Sequence, residues 1–173
     1  MSCLEFFPEE PIQTVIKGNN WWSNTFIKRE LLQCTTVVLA HQTSEKNLHN
    51  IEKLGILPAG DERIQRVKDR IETDPFSVYL VGNIDSTYFR RVQVDHNGIG
   101  IAIIVNVNIS DLEGDENTDP RSKELHGVDS LIITLGNPMR TCKHIGFIEP
   151  NKFLYAIDSK GIVIRKYGKQ ANI

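Results

Sequence analysis

Apolar positions along the chain switch between two rhythms, and the switch predicts where strands and helices lie. Residues 35–39 form a β-branched run, and the stretch Val37-Val38-Leu39-Ala40-His41-Gln42-Thr43-Ser44 reads as a buried strand with polar residues at its end. Leu48, Ile51 and Leu54 then recur three apart, predicting a helix over 45–54. Gly55 supplies its left-handed cap and Pro58 bars its continuation. A second amphipathic helix is predicted over 61–72, with Ile64, Val67 and Ile71 as its buried stripe and Asp74-Pro75 as its stop. Residues 77–81 read as a short strand and 85–92 as a helix. Residues 99–107, the most apolar run of the chain, read as the central strand of the core.

The ends of the chain are less regular. A short strand is predicted at 12–16 and a helix at 21–33, capped by Asn19 or Asn20. Of the adjacent Trp21 and Trp22, the ordinary reading is one core anchor beside a half-exposed neighbour. Five acids (Asp111, Glu113, Asp115, Glu116, Asp119) and no base fall within 110–119. Their spacing misses the calcium-loop pattern, so the segment reads as a solvated acidic loop. The pieces 130–135, 142–148, 153–157 and 161–166 read as short strands between Gly, Pro and Asn turns. Helices therefore concentrate in the N-terminal half and strands in the C-terminal half, the pattern of an α+β domain.

Composition narrows this picture. A chain of 173 residues with 40% hydrophobic and 24% charged content fits one domain, here 1–173, with 1–34 as an N-terminal extension carrying a helix. A net charge of −2 predicts no general affinity for a nucleic-acid backbone. Cys3, Cys34 and Cys142 stand far apart with no metal-ligand spacing. This argues against a disulfide framework or a zinc site and for a reducing, cytoplasmic setting. No stretch has the roughly 18–20 apolar residues of a membrane helix, and no signal-peptide pattern opens the chain.

P-loop, dinucleotide-fold, zincin and serine-hydrolase motifs are missing, and His41, His49, His96, His126 and His144 show no metal-ligand spacing. What remains is an ordered set. A strand ends in His41-Gln42-Thr43, and a helix leads to Gly55-Ile56-Leu57-Pro58. Val78-Tyr79-Leu80 follows, and Gly146-Phe147-Ile148-Glu149-Pro150 comes late in the chain. Over roughly residues 35–157 this order resembles the ADP-ribosyltransferase superfamily, in the branch of RNA 2′-phosphotransferases and DarT-type DNA-modifying toxins.

The resemblance implies a split β-sheet core and NAD as substrate. Carried over by position, it implies that His41 hydrogen-bonds a ribose diol and Tyr79 packs on nicotinamide. Gln42, Thr43 and Tyr88 would join them in the NAD site, with Arg90 and Arg91 behind Tyr88 either near pyrophosphate or on a solvated helix face. The acceptor would be a protein or a nucleic acid; the basic residues Lys160, Arg165, Lys166 and Lys169 suit an anionic contact. The chain departs from the pattern where many members carry a glutamate shortly before the late motif. Asn137-Pro138-Met139-Arg140-Thr141-Cys142 stands there instead, leaving Glu149 as the candidate acid, with Glu124 and Asp129 upstream. Two functions remain open: an NAD-dependent ADP-ribosyltransferase, or an inactive module that keeps the fold to bind a nucleotide or a partner protein.

Overall fold

The computed structural model describes residues 2–11, 22–58, 60–61, 74–96 and 98–168. Its strands are β1 (Ser2–Glu5), β2 (Thr36–Ser44), β3 (Ser77–Val81), β4 (Gly100–Asn108), β5 (Leu112–Glu113), β6 (Thr141–Ile145), β7 (Phe153–Asp158) and β8 (Val163–Lys166). Its helices are α1 (Asn24–Gln33), α2 (Leu48–Leu54), α3 (Ser86–His96) and α4 (Gly127–Leu135). The strands form one sheet in the order β5-β6-β3-β2-β4-β7-β8, with β1 also on β2. The β1–β2 pairing is parallel and the others are antiparallel. The architecture is α+β, as the hydrophobic pattern predicts. Among the described residues no helix is long and apolar enough to cross a membrane.

The core centres on β2 and β4, which pair over nine consecutive residues from Thr36–Asn108 to Ser44–Gly100. Val37 to Ala40 and Ile101 to Val105 are buried without alternation, because elements cover both faces of the sheet here. Phe6, Phe7, Ile27, Leu31, Leu131 and Leu135 belong to the same cluster. Each such side chain contributes roughly 1.5–3 kcal/mol by leaving water.

The other edge of β2 is divided. Its first half pairs with β1 through Thr36, Val37 and Val38, and β3 meets it at the single pair Ala40–Val81. Towards Ser44 and Ser77 the two strands diverge, while β3 keeps five register pairs with β6. The sheet thus has a seam between β2 and β3 that opens beyond Ala40. The strand carrying His41, Gln42 and Thr43 runs on to Ser44, so these residues lie inside it, along the open seam, rather than past its end.

Four local expectations change. Helix α1 starts at Asn24, capped by Ser23, whose hydroxyl accepts from Phe26 N–H at 3.1 Å; the expected caps Asn19 and Asn20 lie outside the described residues. Residues 130–135 are helical. The β-branched run Ile132-Ile133-Thr134 suggested a strand, but Val128, Leu131, Ile132 and Leu135 share a helical face. The Ser130 and Thr134 hydroxyls accept the Gly114 and Asp115 amides at 3.0 and 3.1 Å. The acidic segment is anchored rather than solvated, with Asp115 buried. Cys34 is disulfide-bonded and Cys142 is a buried free thiol, which removes the chemical argument for a reducing compartment. The strand expected at 12–16 and the helix expected at 61–72 lie outside the described residues, apart from residue 61.

Candidate functional site

The four sequence motifs sort into two pairs in space. Gly55-Ile56 and Ile148 form an isolated two-bond bridge: Ile56 N–H donates to the Ile148 carbonyl, and Ile148 N–H to the Ile56 carbonyl, each at 2.9 Å. Gly55 turns there with φ 90°, and a Cβ on it would stand 2.5 Å from the Ile148 oxygen. Glycine is required at this position by both its dihedral and its contact. These two motifs fasten the end of α2 to the late loop, so their role is structural.

The other pair meets at the seam. His41 Nδ1 lies 3.0 Å from the Tyr79 carbonyl oxygen. A carbonyl only accepts, so this nitrogen carries the proton and donates across the seam. Where the β2–β3 ladder stops, the imidazole spans the gap between the strands. His41 and Tyr79 are both half-buried.

Tyr79 also belongs to a closed ring of polar groups. Its hydroxyl donates to Glu116 Oε1 at 2.7 Å and accepts from Asp74 N–H at 2.8 Å. Lys143 Nζ stands 3.2 Å from Glu116 Oε2 and 2.9 Å from Asp74 Oδ2. Asp74 is held further by Phe76 N–H at 2.9 Å and the Ser77 hydroxyl at 2.8 Å. Register explains the convergence: Tyr79 on β3 lies opposite Lys143 on β6, which lies opposite Glu113 on β5, so all three share one face.

The charges respond to this packing. Burial would raise the Glu116 carboxyl, but the Tyr79 hydroxyl and the Lys143 ammonium outweigh it and hold it below the ordinary value. The same competition, won by Lys143, Phe76 N–H and Ser77, holds Asp74 low. Burial would lower Lys143, yet its hydrogen bond to Asp74 and its ion pair with Glu116 raise it. Tyr79 is raised by burial and by Glu116, so its hydroxyl stays protonated and donating through neutral pH. Asp115 is raised, chiefly by burial. With one cation among Asp74, Glu113 and Glu116, the site carries net negative charge.

The remaining candidates take other positions. Gln42 is clasped to the start of α3: its amide donates to the Asp85 carbonyl and accepts the Asp85 N–H, both at 2.8 Å. Thr43 Oγ1 accepts from Asn47 Nδ2 at 3.0 Å, fixing the turn into α2. Tyr88 lies on α3, partly buried against the core, and Arg90 and Arg91 are exposed on the same helix. Glu149 is exposed beside the Ile56–Ile148 bridge, outside the Tyr79 ring. Glu124 is exposed, and Asp129 pairs with Lys28 at 3.4 Å on the surface.

Sequence reasoning missed Asp74, Glu116 and Lys143. Glu116 was hidden in a charge run, and its distinguishing signal was weak: a short apolar start at Leu112 that registers the run against β6.

The class that fold and site define is an α+β domain whose sheet opens at a seam lined by a histidine and a tyrosine–carboxylate pair. No family model and no curated protein matches the chain. Among solved structures it is similar to a double mutant of heat-labile enterotoxin, with a TM-score of 0.42 and 11% identity over 78% of this chain and 63% of that one. It is also similar to an E. coli heat-labile enterotoxin mutant altered at a buried residue, with a TM-score of 0.40 and 10% identity over 78% and 77% of the two chains. The chain spans less than two thirds of the first of these structures.

Proposed function

We propose that this chain is an ADP-ribosyltransferase of the branch resembling DarT-type toxins and RNA 2′-phosphotransferases, taking NAD as substrate. The observation that carries the reading is the seam, where His41 on one lip and Tyr79 on the other are joined by a 3.0 Å hydrogen bond where the β2–β3 ladder ends. The His41 imidazole is the group that hydrogen-bonds ribose, and the Tyr79 ring is the flat face for nicotinamide. Glu116, bonded to Tyr79, takes the role that Glu149 would have had. As the N-glycosidic bond breaks, its electron pair leaves with nicotinamide and positive charge develops at C1′. The net negative charge of Asp74, Glu113, Glu116 and Lys143 favours that state. The acceptor, a protein or a nucleic acid, then forms the new bond to C1′ and gives its proton to the carboxylate.

One observation favours the alternative of an inactive binding module. The Tyr79 hydroxyl, the Gln42 amide and the Thr43 hydroxyl already hold protein partners. Incubation with labelled NAD separates the two readings. Nicotinamide release and label transfer by the wild type, lost in His41→Ala and Glu116→Gln, supports the transferase. NAD binding without release supports the module. No NAD binding removes the NAD pocket and its site residues.

A further inference from the structure

We propose that Lys143 is the positioning residue of the site: its ammonium, between Asp74 and Glu116, holds Glu116 as a carboxylate turned towards the Tyr79 hydroxyl. What Glu116 then does to a substrate rests on the transferase reading. The positioning itself rests on geometry.

Three features single out Lys143. It sits in the middle of a cross-strand row, with Tyr79 on one side and Glu113 on the other, so its direction is set by the pleat of β6. Its side chain is 12% exposed and that of Glu116 is 10% exposed, so their attraction is less screened than on a surface. It also closes a ring in which each member fixes the next: Tyr79 donates to Glu116, Glu116 and Asp74 share the ammonium, and Asp74 N–H returns to the Tyr79 oxygen.

The charged and titratable groups facing Glu116 are Tyr79 from β3, Asp74 from the turn before it, Glu113 from β5, Asp115 from its own loop and Lys143 from β6. Three of these five are carboxylic acids. Without Lys143, the carboxylates repel one another, and a proton on Glu116 becomes the cheapest relief. The protonated group would be a weaker acceptor for Tyr79 and could not act as a base.

The test is a side-chain carboxyl titration by NMR, with the Glu116 resonance assigned through Glu116→Gln. In Lys143→Met the Glu116 midpoint should rise by about one to three pH units, the span usual for losing an opposite charge at contact distance. Lys143→Arg should restore most of the shift. A folded Lys143→Met protein with an unmoved midpoint overturns the proposal. If Lys143→Met does not fold, Asp74→Asn decides instead. That change gives the whole ammonium to Glu116, so the midpoint should stay or fall, and a rise overturns the proposal. Nicotinamide release is read in parallel: the acid limb of kcat should move to higher pH in Lys143→Met, with KM for NAD little changed. A wild type without turnover refutes the transferase reading but leaves the carboxyl titration to decide the role of Lys143.

Discussion

The two sides of the seam are built from the same kind of strand and stabilised differently. On one side, β2, β4 and β7 interlock through long ladders, and Val37 to Ala40, Ile101 to Val105 and Tyr155 to Ile157 are buried on both faces. On the other, β3 and β6 alternate. Val78, Leu80 and Cys142 point into the core, while Tyr79 and Lys143 face the polar ring. The first side is held by burial, which needs no particular partner. The second is held by hydrogen bonds and ion pairs, which do. His41 belongs to the rigid side and reaches across, so the candidate site combines a fixed imidazole with an electrostatically set tyrosine–carboxylate pair.

The largest expected effect tests the apolar side. Ile104→Ala, at a fully buried position of β4, should cost about 2–5 kcal/mol in urea unfolding. A loss under 1 kcal/mol would mean that this half is not the stability core. Gln42→Ala comes next, at about 1–3 kcal/mol, because it strands both backbone groups of Asp85. Hydrogen exchange should quicken at the start of α3. Unchanged exchange there would return Gln42 to the list of ligand contacts.

Tyr79→Phe should cost about 1–2 kcal/mol and raise the Glu116 midpoint, since that carboxylate loses its donor while Asp74 N–H loses its acceptor.

Acid should separate the halves. Glu116 and Asp74 are held low in the folded chain, so their pairing with Lys143 contributes above their unfolded values. That contribution is lost as pH falls through their folded values. Asp115, raised by burial, works in the opposite direction and relieves part of the loss. Exchange protection in β3 and β6 should therefore fall before that of β2 and β4 below about pH 4, and a simultaneous loss would contradict the division. The smallest effect is Glu149→Gln. An exposed carboxylate outside the ring should change stability by no more than about 0.5 kcal/mol and leave NAD turnover intact.

The α+β class, the strand at 77–81, the glycine stop of α2 and the apolar run of β4 were legible because each is written in a local pattern. Helix α4 was misread because Ile132-Ile133-Thr134 carries strand propensity, while its helical face shows only against β5, β6 and α1. The resemblance named His41 and Tyr79, and the structure joins them by a hydrogen bond. It could not find Glu116, because a run of five acids has no local signal for which one turns inward.

The sequence by itself determined which segments could be strands and helices, through periodicity and the backbone demands of Gly55 and Pro58. It also placed a histidine on one predicted strand and a tyrosine on another. Only the tertiary structure decided where the ladder between those strands stops and which carboxylate meets the tyrosine. The same holds for Lys143, whose place between two acids depends on registers set by β5, β6 and β3 together. The physical reason is range: propensity acts over a few residues, whereas the charges of the site come from segments up to 69 residues apart and settle only where burial makes each the other's partner.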